Sequence, residues 1–168
     1  MNRWLRILRH RWLDETDARR ALGPGALERI EARVAESERR HRGEIRVCVE
    51  AGLPLSYLWR NADVRERAVA MFGKLRVWDT EENNGVLVYL LLAEHRIELV
   101  ADRGLARHAD DERWRALVDD MSGHFRARRF EQGLNLAIER VDHLLTQHFP
   151  ARPGEPNPDE LPNTPVIG

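Results

Sequence analysis

One run of nine residues, GVLVYLLLA at positions 85–93, is more apolar than any other part of the chain. It is about half as long as the roughly 18 residues that a membrane-spanning helix needs. Its β-branched and aromatic side chains are typical of a strand. Because the run does not alternate with polar residues, both faces of that strand must be covered. The run therefore predicts the central strand of a sheet that lies between two layers.

Two segments that do alternate accompany this run, EIRVCVE at 44–50 and RIELVAD at 96–102. Strict alternation of polar and apolar residues predicts half-buried strands. A helical pattern lies between the first two strands, and a crossover of this kind joins parallel strands with right-handed geometry. Glu94 and His95 form a tight turn into the third strand, which is therefore antiparallel to the second. Helical patterns before and after the strands predict an α/β fold, a three-layer α/β/α sandwich on a small mixed sheet.

The ends of the chain differ in composition from this middle. Residues 1–19 are predicted to form a basic helix or arm, and residues 20–150 the α/β/α domain. Residues 151–168 form a proline-rich tail, since six of the eight prolines lie between positions 150 and 165. Proline removes backbone donors and disfavours helix at the residue before it. The tail is therefore either an unstructured or loosely docked arm, the interpretation we favour, or a strap laid over the domain.

Charge and cysteine content exclude several classes of protein. The 27 basic and 28 acidic residues give a net charge of -1, so the chain lacks the electrostatic footprint of a nucleic-acid-binding protein. The lone Cys48 excludes an intramolecular disulfide framework and every multi-cysteine metal site. No glycine-rich phosphate loop follows the first strand, which predicts that no nucleotide or organic cofactor is bound.

The first twelve residues contain Trp4, Leu5, Leu8 and Trp12 at helical spacing, with arginines between them. Two interpretations fit this pattern. The helix could dock its Trp and Leu face on its own domain, or it could lie on an anionic membrane surface as a peripheral contact through residues 1–12. We favour docking on the domain, because the segment is short for stable binding at an interface.

One edge of the predicted sheet collects polar side chains. Parallel strands start at the same end of a sheet, which brings Glu44 and Asn84 together, and the antiparallel third strand ends there at Asp102. With the turn centred on Glu94 and His95, Asp102 is expected to pair near Leu87. The loop 78–84 hangs over this edge and adds further acidic side chains, which are Asp79, Glu81 and Glu82.

Three kinds of chemistry fit this edge. Carboxylate and amide oxygens are the ligands that Ca²⁺ or Mg²⁺ prefers. A close pair of carboxylates could instead raise one pKa and act as an acid or base. Alternatively the groups are structural: Asp79 or Thr80 caps the loop, Glu81 and Glu82 face water, and Asp102 pairs with an arginine.

Four segments in this order resemble a known family, the TPM domain, which is named after a thylakoid-lumen phosphatase and a photosystem II repair protein. These segments are SERRHRGEI at 37–45, Ala70–Met71–Phe72 followed by Asp79–Thr80, NGVLVY at 84–89 and ADRGL at 101–105. The chain resembles a stand-alone bacterial member. The resemblance implies an α/β/α sandwich, and the family contains acid phosphatases and calcium-binding members.

The resemblance implies metal ligands at four positions, Glu44, Asp79, Asn84 and Asp102, and we assign phosphate binding to Arg103. No catalytic residue is assigned. The function we favour is a divalent-cation-binding interaction module with an unidentified protein partner. The alternative is a metal-assisted acid phosphatase that acts on phosphomonoesters, and whether the chain is an enzyme stays open. Since the chain lacks a secretory signal and a C-terminal membrane helix, we expect it in the cytoplasm, peripheral to the inner membrane.

Overall fold

The computed structural model describes residues 3–108 and 111–168. Within these residues it has eight α-helices, which are α1 (Arg3–Arg11), α2 (Glu15–Leu22), α3 (Ala26–Ser37), α4 (Leu55–Trp59), α5 (Val64–Lys74), α6 (Arg103–Ala106), α7 (Asp111–Arg126) and α8 (Phe130–His148). The strands are β1 (Ile45–Glu50), β2 (Val86–Leu91), β3 (Arg96–Ala101) and β4 (Val166–Ile167).

The four strands form one mixed sheet in the order β3-β2-β1-β4. As predicted, β1 is parallel to β2, and β2 is antiparallel to β3. All six residues of β2 are buried, which confirms that both faces of the central strand are covered. The α/β sandwich predicted from the order of the elements is confirmed.

Alternation along β1 divides the core into two parts. Ile45, Val47 and Val49 face one hydrophobic cluster, to which α2, α3, α7 and α8 contribute. Cys48 points to the opposite face, where a second cluster is formed with α4 and α5. The two clusters pack on opposite faces of the sheet. They fix the positions of the strand ends, where the polar residues Glu44, Asn84 and Asp102 lie.

The β2–β3 hairpin has a longer turn than the sequence suggests. Leu92–Glu94 form a 3-10 turn, and His95 follows in the left-handed region with φ 52°. Val86 therefore pairs with Ala101, and the N–H of Asp102 donates to the carbonyl of Gly85 at 2.9 Å. The expected pairing of Asp102 near Leu87 is wrong by two residues, because the end of the apolar run belongs to the turn.

The proline-rich tail ends in β4, a strand that the sequence analysis does not predict. Val166 and Ile167 pair with Cys48 and Val49 of β1. The N–H of Ala51 then donates to the carbonyl of Gly168 at 2.7 Å. Residues 157–168, called the strap below, therefore cover the outer edge of β1, which is the second of the two interpretations of the tail.

The N-terminal helix α1 packs on the domain, but not by the face we expected. Arg6 and His10 are buried, whereas Trp4 and Trp12 are exposed. The expectation that the Trp and Leu face docks on the domain is therefore wrong. Met1 and Asn2, the first residues of the predicted N-terminal segment, lie outside the described residues. Among the helices of the described residues, none is long and apolar enough to span a membrane.

Candidate functional site

Glu44, Gly85 and Asp102 form one row across the sheet, where β1 and β2 begin and β3 ends. The N–H of Val86 donates to the carbonyl of Glu44 at 2.8 Å, and Asp102 donates to Gly85 at 2.9 Å. Neighbouring strands lie about 4.8 Å apart, so the backbones of Glu44 and Asp102 are about 10 Å apart. The predicted meeting of these strand ends at one edge is thus present in the fold.

Two glycines let the loop 77–84 cross this edge at close range. The carbonyl oxygen of Val77 lies so close to Gly85 that a Cβ there would collide with it. The N–H of Gly104 donates to the carbonyl of Asn83 at 2.8 Å, and a Cβ at Gly104 would also collide with that carbonyl. Backbone, rather than the loop's acidic side chains, therefore fills the space between Glu44 and Asp102.

Glu44 is buried under the strap. Its two carboxylate oxygens each accept a backbone N–H at 3.2 Å, one from Glu160 and one from Leu161. Burial raises the pKa of Glu44 to about 7, although these two N–H groups act in the opposite direction. The charges of Glu160 and Asp159 raise this pKa further. Glu44 thus joins the strap to the sheet and holds a proton that an exposed glutamate would lose.

Asn84 and Asp102 each use only part of their side chain. The amide nitrogen of Asn84 donates to the carbonyl of Arg42 at 2.9 Å. One oxygen of Asp102 accepts the N–H of Arg103 at 2.7 Å, at the start of α6. The other oxygen of each side chain, Asn84 Oδ1 and Asp102 Oδ2, is buried without a hydrogen-bond partner among the described residues. Unpaired buried oxygens are uncommon, and each is free to accept a donor or a cation.

Asp79 and Arg103 are exposed and already have partners. Asp79 pairs with Arg76 at 2.6 Å. The guanidinium of Arg103 donates to Asn83 Oδ1 at 3.0 and 2.9 Å. Within residues 3–108 and 111–168, no group of three or more His, Cys, Asp or Glu is arranged to hold a metal ion. The fold thus brings the backbones of Glu44, Asn84 and Asp102 to one edge and leaves the Asp79 carboxylate at the surface of the loop.

The other two loop acids bind neighbouring segments. Glu82 forms an ion pair with Arg42. The N–H of Glu81 donates to the carboxylate of Glu160 in the strap at 2.8 Å. The loop and the strap are therefore attached to each other as well as to the sheet.

Glu38 is a buried carboxylate of this site that the sequence analysis misses. Its Oε1 accepts the N–H of Ile45 at 2.9 Å, and its Oε2 is buried beside Asn163 of the strap, without a closely aligned donor among the described residues. Burial raises the pKa of Glu38 to about 8, with the charges of Glu44 and Asp159 adding to the effect. The signal for this residue is its spacing, because Glu38 follows Ile30 and Val34 of the buried α3 stripe at intervals of four.

Side chains of the strap and of β1 fix the strap in place. Arg46 Nη1 donates to the carbonyl oxygens of Pro162 and Thr164, the latter at 2.7 Å. Asn157 Nδ2 donates to the carbonyls of Glu38 and His41 at 2.8 and 3.0 Å. The strap therefore covers the two buried carboxylates, Glu38 and Glu44.

Replacing Arg46 with methionine is expected to loosen the strap. The variant loses a charged donor to two carbonyl groups, which is worth about 2 kcal/mol of unfolding free energy. We expect the amides of Glu160, Leu161 and Gly168 to exchange with solvent at least tenfold faster, measured by hydrogen–deuterium exchange. Arg39→Met, at an exposed position, is the matched control. Equal exchange in the two variants would contradict this role of Arg46.

Three side chains that could act as a nucleophile or base have structural surroundings instead. Cys48 is buried, and burial raises the pKa of its thiol to about 12, so it is unreactive at neutral pH. Ser122 donates to the carbonyl of Asp119 at 2.8 Å. Burial lowers the pKa of His41 to about 4, so its ring is neutral inside the fold. These three groups are structural, and the chemistry of the edge rests on its oxygens.

Comparison with known proteins agrees with this fold. The family model TPM_phosphatase, described as the TPM domain, matches residues 16–144. The chain belongs to the TPM domain family. A solved NMR structure, that of the BA42 protein from the psychrophilic bacterium Bizionia argentinensis, is 29% identical with a TM-score of 0.73, and the match covers 85% of this chain and 92% of BA42. No curated protein matches the chain. The whole strap, residues 157–168, lies beyond the segment that the TPM family model matches.

Proposed function

We propose that this TPM domain is a non-catalytic interaction module that binds a divalent cation, Ca²⁺ or Mg²⁺, at its polar sheet edge. The observation that supports this proposal most directly is the pair of buried oxygens without partners, Asn84 Oδ1 and Asp102 Oδ2. Both are hard oxygen donors of the kind that these cations prefer. Glu44, on the same row as Asp102, would supply a third oxygen ligand once the loop backbone between them and the strap move.

The donor set fits such a cation by its chemistry, and the strap limits how the cation is held. Glu44, Asn84 and Asp102 would hold it, and Asp79 would join them only by leaving Arg76. Both carboxylate oxygens of Glu44 accept N–H groups of the strap. Cation binding is therefore expected to displace those N–H groups and to loosen the strap. Release of the strap would expose the outer edge of β1, and an exposed strand edge pairs readily with an extended segment of a partner.

A titration of the full chain with Ca²⁺, followed by amide chemical shifts, tests the proposal. We expect shifts confined to residues 44, 79–85, 102–104 and 160–161. Asp102→Asn keeps the oxygen that caps α6 but removes the charge, so it should weaken binding at least tenfold. Asp119→Asn, an exposed change on α7, is the matched control. Shifts that spread over the surface, or that Asp102→Asn leaves unchanged, would contradict the proposal.

The alternative function is a metal-assisted acid phosphatase for phosphomonoesters. The position of Arg103 favours it, because this exposed guanidinium lies next to Asp102 and could pair with a phosphate. Metal-dependent hydrolysis of an aryl phosphate that Arg103→Gln impairs and Arg107→Gln does not would support this alternative. A rise in melting temperature with Ca²⁺ and no turnover would support the interaction module.

A further inference from the structure

The N-terminal helix α1 binds the domain through its polar side. Arg6 Nε donates to Glu94 Oε1 at 2.7 Å, and the other guanidinium nitrogens donate to Asn61 Oδ1 and the carbonyl of Ala62, both at 3.0 Å. His10 Nε2 lies 3.0 Å from the same Glu94 oxygen. Arg6 is 8% exposed and His10 3%. The polar residues thus form the buried side of this helix.

Hydrogen bonds fix this orientation of α1. His10 Nδ1 accepts the N–H of Leu53 at 2.9 Å, so Nε2 carries the proton and donates to Glu94. Burial alone would raise the pKa of Glu94, but the donors His10 and Arg6 hold it at about 2. Glu94 is therefore ionised at every physiological pH, and α1 stays anchored on a half-buried charge.

Ile7 of α1 packs against the second hydrophobic cluster, but the other apolar residues of this segment face solvent. Trp4 is 59% exposed, Leu5 60%, Leu8 54% and Trp12 81%. At about 100° per residue, these four side chains cover a stripe about 100° wide on the side away from Arg6 and His10. A contiguous row of exposed large apolar side chains of this kind marks an interaction site.

Neighbouring side chains enlarge the stripe. Helix α4 packs beside α1, and its Leu55 and Trp59 are 55% and 65% exposed. The stripe of α1 and these two residues, called the apolar patch below, contain three of the five tryptophans of the chain. Trp is enriched where a protein meets the headgroup region of a bilayer, because its ring is apolar and its N–H is polar.

Positive charge lies on both sides of the stripe. On the same helical projection, Arg9 falls beyond one border and Arg11 beyond the other, and both are exposed. Among the described residues, no acidic side chain is within ion-pair distance of either. The nearest acids along the chain are Asp14, Glu15 and Asp17, of which Asp14 and Asp17 accept backbone N–H groups in the capping box of α2. Arg9 and Arg11 are therefore cations without an ion-pair partner among the described residues.

An open cavity of about 410 Å³ continues the patch next to Trp12. Its lining combines apolar walls with Arg9, Arg128, His95 and one acid, Asp17. Burial and then the charges of Arg9 and Arg128 lower the pKa of His95, which indicates that both guanidinium groups act on this cavity. A cavity with apolar walls and two arginines suits a phosphate group that is attached to a hydrocarbon chain.

We propose that the apolar patch docks this protein on an anionic phospholipid surface, with the tryptophans and leucines among the headgroups and Arg9, Arg11 and Arg128 at the lipid phosphates. A second copy of the chain is a poor occupant, because an isologous contact would bring these arginines against one another. Apolar burial combined with attraction to anionic lipid is the usual basis of binding by a helix that lies on a membrane. Because the polar side of α1 is already bound to the domain, the stripe faces solvent before binding, and no entropy is lost in ordering the helix when the protein binds the membrane.

Flotation of the full chain with vesicles tests this surface. We expect binding to vesicles that contain phosphatidylglycerol, weaker binding to phosphatidylcholine alone, and release as ionic strength rises. Leu5→Ser with Leu8→Ser should lower the partition coefficient at least tenfold. The matched control is Val69→Ser with Trp78→Gln, which changes exposed apolar residues outside the patch.

Arginine variants distinguish electrostatic attraction to anionic lipid from nonspecific hydrophobic adsorption. Arg9→Gln with Arg11→Gln should lower binding to anionic vesicles about 25-fold, since each arginine near an anionic surface contributes about fivefold. Arg39→Gln with Arg107→Gln, exposed arginines away from α1, should leave binding unchanged.

Three results would overturn this inference. Binding that is equal for charged and neutral vesicles would remove the role of the arginines. Loss of binding in the Val69 and Trp78 control would show that the patch is not specific. Dimerisation that Leu5→Ser and Leu8→Ser abolish, without vesicle binding, would assign the patch to a second copy. Thermal unfolding of every variant serves as the folding control, because all of these side chains are exposed.

Discussion

Glu38→Gln is expected to stabilise the protein at about pH 8 by on the order of 3 kcal/mol and to have little effect near pH 4.5. The pKa of Glu38 is raised to about 8 in the folded protein, from an ordinary value of 4.5, chiefly by burial. Between these two values the unfolded chain loses this proton and the folded chain keeps it. The wild type therefore loses stability as the pH rises through this range.

Glutamine reproduces the protonated form of this side chain. Its oxygen can accept the N–H of Ile45, as Glu38 Oε1 does at 2.9 Å. Its amide nitrogen can donate to Asn163 of the strap, whose Oδ1 is buried without a partner among the described residues. Glutamine thus keeps the contacts of the neutral acid and never carries the charge that burial disfavours.

Urea unfolding at several pH values measures this effect. The difference in unfolding free energy between Glu38→Gln and the wild type is measured at about pH 4.5 and pH 8, because Glu44, with its pKa raised to about 7, is present in both proteins and its contribution cancels. The pKa values of His41 and Glu94 are lowered to about 4 and 2. These two groups therefore make the unfolding free energy rise with pH, and they do so only at lower pH.

Glu36→Gln is the control, since Glu36 lies in the last turn of α3, two residues before Glu38, but is exposed. It should change the unfolding free energy by less than about 0.5 kcal/mol at every pH. If Glu38→Gln and the wild type showed the same slope against pH, Glu38 would be ionised in the folded protein and this account of the site would be wrong.

The topology was accessible from the sequence because each strand carries a local signal. The alternation in β1 and β3 and the apolar run of β2 depend only on which faces are buried. The register of the hairpin was not accessible in the same way. Leu92 and Ala93 are as apolar as strand residues, yet they lie in the 3-10 turn. The backbone partner of Asp102 is therefore Gly85 and not Leu87.

The orientation of α1 could not be read from its own residues. A helix with a Trp and Leu side and an Arg side usually buries the apolar side. Here the partners of Arg6 and His10 are Glu94, Asn61 and the backbone near Leu53, all distant in sequence. A single half-buried, hydrogen-bonded carboxylate, that of Glu94, determines which side of α1 packs on the domain. The residues of α1 themselves carry no signal for it.

The order of the strands predicts which backbone positions meet at the candidate site, but it predicts only some of the side-chain contacts there. The strand ends bring Glu44 and Asp102 to one row, as the order of the strands requires. The Asp79 side chain instead pairs with the nearby Arg76, a local contact that spacing alone did not single out. The proline content predicts a loose tail. The groups that hold the tail, which are the edge of β1 and the Arg46 side chain, lie far from it in sequence, so the proline pattern carries no signal for them.

Gly85→Ala is expected to destabilise the protein by about 3 kcal/mol and to move the loop that crosses the sheet edge. A Cβ at Gly85 would collide with the carbonyl oxygen of Val77. The obstacle is backbone, which cannot rotate away as a flexible side chain can. Val77 is fully buried and its N–H donates to Phe72 at 3.1 Å, so a shift of Val77 also disturbs the second hydrophobic cluster.

Gly73→Ala is the matched control for this substitution. Gly73 lies inside α5, and no atom is within 4 Å of a Cβ placed there. Alanine is favoured over glycine in a helix interior, so this variant should gain about 0.5–1 kcal/mol. Urea unfolding of the two variants should therefore give changes of opposite sign for the same added methyl group.

Chemical shifts then show whether the loss of stability comes from the edge itself. Since Gly85 lies between Glu44 and Asp102, displacement of Val77 should alter the amides of residues 77–85 and 102–104 and leave α3 and α8 unchanged. A loss of unfolding free energy below about 1 kcal/mol, or amide shift changes spread over both clusters, would mean that the loop backbone moves easily to make room for the Cβ. The backbone between Glu44 and Asp102 would then not be what keeps the two carboxylates apart, and the edge could close around a cation without releasing the strap.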